Sequence, residues 1–177
     1  MKIRVGNIEE TEKEATFVEE VTEINEALAR TGVIDYQFRQ PVPVDVSFYR
    51  LGTDLLFRGQ FGAAVSGTCA RCLESYPFTL REPFTFVLKP HVEDRIEHQL
   101  DAEDLSLSFY SGDEVDLAPL LREAMILALP TRPLCKDDCR GLCPQCGANR
   151  NLVECACRDQ WTDPRLEALR SFKSSGK

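Results

Sequence analysis

Histidine, tryptophan and long apolar runs are scarce in this sequence. Its 177 residues include two histidines and one tryptophan. Nowhere do 18 apolar residues follow one another, so we expect no membrane-spanning helix. The first residues lack the apolar stretch and small-residue cleavage site of a secretory signal. We therefore expect a cytoplasmic protein, in which clustered cysteines act as metal ligands or redox groups rather than as disulfides.

Sequence signals of catalysis are also missing. His91 and His98 lie seven residues apart in an acidic segment, with no serine or cysteine motif that would complete a catalytic triad. No glycine-rich phosphate loop is present, and the many carboxylates mark no particular acid or base. We therefore expect a non-enzymatic protein that has no small-molecule substrate.

Positive charge is in short supply, and it is unevenly distributed. The chain has 21 basic and 29 acidic side chains, a net charge of −8. Residues 1–130 contain 12 basic and 23 acidic side chains, whereas residues 131–177 contain 9 and 6. The main body at −11 repels phosphates, which disfavours broad nucleic-acid binding there. Nine carboxylates between positions 93 and 116 are interpreted as a solvated loop or as a patch for a basic partner, such as a ribosomal protein.

Apolar periodicity in the first half predicts one helix and several strands. Thr16 and Glu19 fit a capping box ahead of apolar residues at helical spacing, which predicts a helix over 17–30. Alternating apolar residues predict strands over 41–49 and 55–65, the second broken by bulges or tight bends at Gly59 and Gly62. Two further strands are predicted over 76–88. This order predicts an antiparallel meander rather than alternating β and α units.

The second half contains the clearest helical pattern. Residues 117–129 predict a long amphipathic helix, with Asp116 as its cap, Met125 in the core and Pro130 as its stop. A short helix over 164–172, just after Trp161, is predicted to close the chain. We expect an α+β fold: an antiparallel sheet packed with the long helix over residues 1–134, and a cysteine-rich, zinc-binding extension over 135–177.

The eight cysteines form four close pairs. Two thiolates at such spacing can bind one ion with little loss of loop entropy. The most specific pair is Cys143-Pro-Gln-Cys146-Gly147, in which proline stiffens the turn and glycine can adopt a positive φ. Two tetrahedral zinc sites would use all the predicted ligands: Cys69, Cys72, Cys135, Cys139, Cys143, Cys146, Cys155 and Cys157.

Four pairs can combine into two sites in three ways. The favoured grouping joins Cys143/Cys146 to Cys155/Cys157, because the eight residues between these pairs close a short loop. The other site is then Cys69, Cys72, Cys135 and Cys139. An alternative joins Cys135/Cys139 to Cys143/Cys146 and leaves the first and last pairs together. Every grouping predicts two structural zinc ions.

Two other functions are compatible with these thiols. Cys69 and Cys72 form a CxxC pair in which Arg71 could lower a thiol pKa, as in dithiol redox proteins, although no βαβ context surrounds it. A zinc-containing nucleic-acid-binding regulator would use the basic C-terminal segment. Four thiolates on one zinc ion carry a formal −2, which would reduce the +3 of that segment to about +1. We therefore expect weak binding to phosphates.

The order of these motifs resembles the YceD family. The likeness runs from about residue 40 to residue 157. It includes Cys69-Ala-Arg-Cys72-Leu-Glu, the helical segment ending in Ala-Leu-Pro130, and Gly-Leu-Cys143-Pro-Gln-Cys146-Gly-Ala-Asn. The resemblance implies a cytoplasmic, non-enzymatic factor for synthesis, processing or stability of 23S ribosomal RNA and for large-subunit assembly. It implies a ribosomal protein or a pre-ribosomal large-subunit particle as partner, with direct contact to ribosomal RNA left open, and the eight cysteines as functional positions.

Overall fold

The computed structural model describes residues 1–91, 107–157 and 165. Two helices and eight strands are described, besides a single 3-10 turn at Val5–Asn7. In chain order they are β1 Lys2–Arg4, β2 Lys13–Glu19, α1 Val21–Thr31, β3 Tyr36–Phe38, β4 Val42–Leu51, β5 Asp54–Thr68, β6 Ser75–Pro90, β7 Leu107–Tyr110, β8 Glu114–Asp116 and α2 Ala118–Leu127. The α+β class is therefore confirmed.

The main sheet has six strands. Five follow the order β2-β4-β5-β6-β7, and β3 pairs with the C-terminal part of β5, at residues 65–67. Strand β4 pairs antiparallel with β2 and with β5, and β5 pairs antiparallel with β6. The antiparallel order of β4, β5 and β6 agrees with the prediction, whereas strand β2 was not predicted. Strand β7 differs, because it pairs with β6 in parallel. Strands β1 and β8 form a separate two-stranded ribbon. Among the described residues no helix is long and apolar enough to cross a membrane.

One face of the main sheet carries the core. Alternate residues of β4 and β5 are buried, including Val44, Val46, Phe57 and Phe61. Both helices add apolar side chains to the same cluster, among them Leu28 of α1 and Leu121 and Met125 of α2. The opposite face of β4 and β5 is exposed or half-buried and carries polar side chains such as Asp45, Arg58 and Gln60. Alternation of buried and exposed residues along a strand is typical of an antiparallel sheet that is covered on one face.

The helix predicted over 17–30 begins later than the sequence suggested. Residues 13–19 form strand β2, paired with β4, and α1 starts at Val21. Thr16 does not cap a helix, because its Oγ1 donates to Asp45 Oδ1 of β4 at 3.1 Å. Phe17 pairs with Val44, and its side chain packs against the core together with that of Ala15, two residues earlier. In the sequence alone, Phe17 also fits the apolar face of a helix. The pairing with β4 explains why these residues form a strand rather than the first turn of the helix.

The two strands predicted over 76–88 are one strand of 16 residues, β6. Strands β5 and β6 pair without interruption from Leu55↔Leu88 to Thr68↔Ser75, so the predicted bulges at Gly59 and Gly62 are wrong. Gly59 nevertheless marks a close approach, because a Cβ atom there would lie 2.0 Å from the backbone oxygen of Asp45.

Helix α2 is ten residues long, shorter than the predicted 117–129. Asp116 contributes at its start, since Asp116 Oδ1 accepts the backbone N–H of Ala118 at 3.1 Å. Met125 is fully buried, as expected. The helix predicted over 164–172 and Trp161 lie outside the described residues, apart from Arg165. His98 also lies outside them, and His91 is exposed.

A partly buried ion pair joins α2 to the end of β2. Arg122 Nε donates to Glu19 Oε1 at 2.6 Å, and its Nη2 lies 2.6 Å from Glu23 Oε2 of α1. The Glu19 side chain is 6% exposed, whereas that of Arg122 is 21% exposed. Glu19 therefore depends on Arg122 for compensation of a charge removed from water.

Substitution Arg122→Ala is expected to lower the free energy of unfolding by about 3 kcal/mol, because it leaves the Glu19 carboxylate buried without its cation. Denaturant unfolding followed by circular dichroism measures the change. The matched control is Arg30→Ala, which removes an exposed helix pair with Glu26 at 3.7 Å and should change stability little. Equal losses from both variants would contradict this interpretation of Glu19.

Candidate metal centres

The first cysteine pair lies in the turn between the two longest strands. Cys69 directly follows β5, and its backbone N–H donates to Glu74 O at 2.9 Å. Leu73 N donates to Cys69 O at 2.9 Å, and Leu73 adopts a positive φ of 60°. This tight turn holds Cys69 and Cys72 at the end of the sheet, where both are buried.

The second pair reaches this turn from the segment after α2. Ala70 N donates to Pro133 O at 2.8 Å, which holds the segment against the turn. The Sγ atoms of Cys69 and Cys139 are 3.8 Å apart, and those of Cys72 and Cys135 are 3.7 Å apart. All four sulfurs lie within 4.8 Å of one another. We call Cys69, Cys72, Cys135 and Cys139 the first cysteine group.

The remaining pairs form a second group within one local loop. Cys143 N donates to Ala148 O at 2.8 Å, and Gly147 N donates to Cys143 O at 2.9 Å. Gly147 has the positive φ, 72°, that the sequence suggested. The second cysteine group comprises Cys143, Cys146, Cys155 and Cys157, whose sulfurs also lie within 4.8 Å of one another. This division into two groups is the one favoured from loop length.

Both groups suit a tetrahedral ion with soft ligands. Zinc binds thiolates at about 2.3 Å, so four sulfurs in a tetrahedron lie about 3.8 Å from one another. The separations of 3.8 and 3.7 Å in the first group match that edge. They exceed the length of a disulfide bond, about 2.05 Å, and all eight cysteines are free thiols. The residues present therefore fit zinc, and ion occupancy stays a prediction.

Each group combines thiols of low and high pKa. Burial raises the pKa of Cys69, but backbone N–H groups of Cys135, Cys72 and Arg71 outweigh it and lower that pKa to about 6. Backbone N–H groups of Cys146 and Gln145 likewise lower the pKa of Cys143 to about 6. Each group therefore contains at least one thiol that is more acidic than an ordinary cysteine.

The neighbouring thiols behave in the opposite way. Burial, followed by the adjoining thiols, raises the pKa of Cys135 to about 12. The Cys146 thiol, followed by burial, raises the pKa of Cys157 to about 12. A divalent cation would displace these protons, because only the thiolate is a strong metal ligand.

The geometry gives little support to a redox role for Cys69 and Cys72. Cys69 is 0% exposed, whereas thiol–disulfide exchange needs an accessible thiolate. The Arg71 guanidinium does not contact sulfur in the way the redox hypothesis requires, because its Nη1 donates to Cys139 O at 2.8 Å and to Asp137 O at 3.4 Å. Arg71 therefore links the first turn to the second pair.

A surface depression of about 560 Å³ lies elsewhere, on the face of the sheet opposite the core. Its lining contains no cysteine or histidine. Arg58 at its border pairs with Glu12 at 2.8 Å, and this contact lowers the pKa of the Glu12 carboxyl. Asp45 accepts a hydrogen bond from Thr16. The described contacts of Arg58 and Asp45 are thus an ion pair and a hydrogen bond that join neighbouring strands and loops.

All eight predicted site residues are described, and sequence reasoning missed two side chains that contact their sulfurs. One is Arg150, whose Nη2 donates to Cys143 Sγ at 4.0 Å within the second group, and the other is Asn151. Asn151 lies in the loop of the second group, and its Nδ2 donates to Cys139 Sγ of the first group at 3.3 Å. Asn151 is not part of a recognisable ligand motif in the sequence, so its contact with Cys139 is seen only in the folded loop. The predicted boundary between 134 and 135 falls within the first group, whose ligands come from both sides, and the two-domain division stays a prediction.

The fold and the cysteine groups define a mixed α+β protein that carries two four-thiol sites at and beyond one end of its sheet. The chain belongs to the YceD family. Residues 57–173 match the family model described as "Large ribosomal RNA subunit accumulation protein YceD". The matched region includes both cysteine groups.

Curated relatives occur in bacteria and in plants. An uncharacterised protein of Mycobacterium bovis is 30% identical over 126 residues, which cover 71% of this chain and 59% of the relative. Bacillus subtilis YlbN is 24% identical over 176 residues, 96% of this chain and 94% of that protein. The Arabidopsis thaliana "Large ribosomal RNA subunit accumulation protein YCED homolog 1, chloroplastic" is 26% identical over 152 residues, 71% and 46% of the two chains.

The chain spans a little over half the length of the mycobacterial relatives that it matches. No solved structure matches the chain.

Proposed function

We propose that this protein is a non-enzymatic factor that supports synthesis, processing or stability of 23S ribosomal RNA and assembly of the large ribosomal subunit. The observation that carries the proposal is the family match over residues 57–173, which covers most of β5, all of β6, β7 and α2, and both cysteine groups. The printed name of the Arabidopsis relative, an accumulation protein for the large ribosomal RNA subunit, supports the same process. We place its action in the cytoplasm.

The proposal includes two structural zinc ions, one in each cysteine group. Cys69, Cys72, Cys135 and Cys139 would hold the first ion, and the four cysteines of the second group would hold the other. When bound, each ion supplies a four-way crosslink between segments that have few apolar contacts of their own. The first group would attach residues 131–142 to the end of β5. The second would close residues 143–157 into a compact loop.

The charge distribution favours a basic protein or a pre-ribosomal particle as partner over free RNA. The described part of the main body is acidic around α1, where Glu20, Glu23 and Glu26 are exposed and the ion pairs with Arg122 and Arg30 offset only part of the negative charge. Near the cysteine groups the exposed basic residues Lys136 and Arg140 alternate with Asp137 and Asp138. Such mixed charge contributes little net attraction to phosphates. Direct contact with ribosomal RNA is therefore the less favoured mode.

Depletion of the protein is expected to lower the ratio of 23S to 16S ribosomal RNA and to reduce free and assembled large subunits in a sucrose gradient. Complementation with the parent chain should restore both, whereas a Cys69→Ser, Cys72→Ser chain should not. The matched control changes two serines that flank the same turn, Ser66→Ala with Ser75→Ala, whose hydroxyls contact only each other and Arg39 in the described hydrogen bonds. An unchanged RNA ratio with an unchanged subunit profile would refute the proposed function.

A further inference from the structure

The two cysteine groups are joined by three residues. Cys139 belongs to the first group and Cys143 to the second, so Arg140, Gly141 and Leu142 form the whole connection. Gly141 has a φ of 71° and lies against the first turn, where an added Cβ would be 2.9 Å from Arg71 O. The connection therefore has little freedom to separate the groups.

Backbone hydrogen bonds hold this connection on both sides. Leu142 N donates to Arg71 O at 3.0 Å, in the turn that carries Cys69 and Cys72. Arg150 N donates to Gly141 O at 2.9 Å, from the loop that carries the second group. Leu142 also forms an antiparallel bridge with Asn149. The loop of the second group thus packs directly against the connection to the first.

Asn151 extends this contact to a ligand atom. Its Oδ1 accepts the backbone N–H of Arg140 at 2.9 Å, which fixes the orientation of the amide because only the oxygen can accept. Its Nδ2 then donates to Cys139 Sγ at 3.3 Å and to Asn149 Oδ1 at 2.9 Å. Asn149 Oδ1 also accepts the backbone N–H of Asn151 at 3.0 Å. An amide from one group is therefore held against a sulfur of the other.

We propose that Asn151 is a positioning residue that couples metal binding at the two cysteine groups. Closure of residues 146–155 around an ion in the second group holds the Asn151 amide against Cys139, which raises the affinity of the first group. The donor stabilises the negative charge that remains on a coordinated sulfur, and such outer hydrogen bonds typically change metal affinity by about 10- to 100-fold. Coupling of this kind is reciprocal, so the first ion favours the second by the same factor. The inference rests on the metal binding proposed above.

Zinc affinities from chelator competition test the coupling. They are measured on the intact chain, on a chain with the first group disabled (Cys69→Ser, Cys72→Ser) and on one with the second group disabled (Cys155→Ser, Cys157→Ser). The coupling factor is the overall two-ion binding constant divided by the product of the two single-group constants. It equals one for independent groups. We expect a factor of about 10 or more for the intact chain.

Asn151→Ala is expected to bring the coupling factor close to one and to leave the isolated second group within about twofold of its parent affinity. The matched control is Leu152→Ala, in the same loop, whose side chain is 76% exposed. This variant should keep the parent coupling. Since Asn151→Ala retains all eight thiols, a fall in its overall two-ion constant relative to Leu152→Ala tests the proposal even if a cysteine variant fails to fold.

A coupling factor near one in the intact chain, or one that Asn151→Ala leaves unchanged, would overturn the inference. So would equal weakening of both isolated groups in Asn151→Ala, which indicates general damage to the loop. If two ions bind without coupling, the metal assignment stands and only the inference fails. If no chain binds zinc, both fail together.

Discussion

Removal of metal is expected to unfold residues 135–157 and to leave the main sheet folded. The sheet has a core of its own, built from β2 to β6 and both helices, with Phe38, Phe57 and Leu121 among its fully buried side chains. The buried cluster at the first cysteine group consists instead of Cys69, Cys72 and Cys139, with little apolar material around it. Structural zinc contributes an apparent binding free energy of about 10–16 kcal/mol in small zinc modules. Without it, few contacts oppose the entropy of this segment.

Limited trypsin digestion with mass spectrometry measures the effect. In zinc at about 100 times its dissociation constant, cleavage after Lys136, Arg140 and Arg150 should slow about 100-fold relative to the chelated chain. Sites in the middle of the sheet, such as Arg58 and Arg81, provide the internal control and should resist in both states. Magnesium at the same concentration should give no protection, because thiolates prefer softer ions. Equal cleavage of residues 135–157 with and without zinc would contradict a structural role for the ions.

The fold was predictable where apolar residues follow one period only. Val42, Val44 and Val46 alternate cleanly and form β4 as predicted. Residues 13–19 are ambiguous, because Phe17 fits both a strand and the helix that follows, and the pairing of β2 with β4 is a contact between distant parts of the chain. The parallel pairing of β7 with β6 is likewise a contact between separate parts of the chain. The apolar pattern within β7 does not indicate the direction in which it pairs.

The ligand set was predictable because ligand spacing is local. A CxxC pair and a Cys-Pro-Gln-Cys turn fix the directions of two thiols within a few residues, and loop length favoured the grouping that the structure has. The link between the groups was not predictable. Asn151 contacts Cys139 in a loop that is also held by the hydrogen bonds of Arg150 N to Gly141 O and of Arg140 N to Asn151 Oδ1, and these contacts form only after the second loop has folded back.

The first cysteine group lies where the sheet and the C-terminal segment meet. Its first pair belongs to the β5–β6 turn and its second pair follows α2, so one ion would join the sheet to residues 131–142. Tyr36 strengthens the same junction, since its hydroxyl donates to Pro130 O. A partner that contacts the C-terminal segment would therefore contact a surface held rigidly relative to the main sheet.

Gly59→Ala is expected to destabilise the main sheet strongly, whereas Gly62→Ala on the same strand should not. At Gly59 an added Cβ would lie 2.0 Å from Asp45 O and 2.8 Å from Phe84 Cζ. The first atom belongs to the backbone of the paired strand β4, and the ring of Phe84 stacks between Phe61 and Phe86. Neither neighbour can move without disturbing the ladder or the core. Overpacking of this kind costs about 3 kcal/mol or more in free energy of unfolding.

The control position shows why crowding rather than glycine itself decides the outcome. At Gly62 the nearest atom to an added Cβ is Arg81 Cγ at 3.9 Å, an ordinary contact with a flexible side chain. Alanine there restricts the unfolded chain and adds no clash, so stability should stay the same or rise by about 0.5 kcal/mol. Denaturant unfolding of both variants measures the difference. Similar stabilities would contradict the close packing of β5 against β4 at Asp45, on which the continuous register through Gly59 depends.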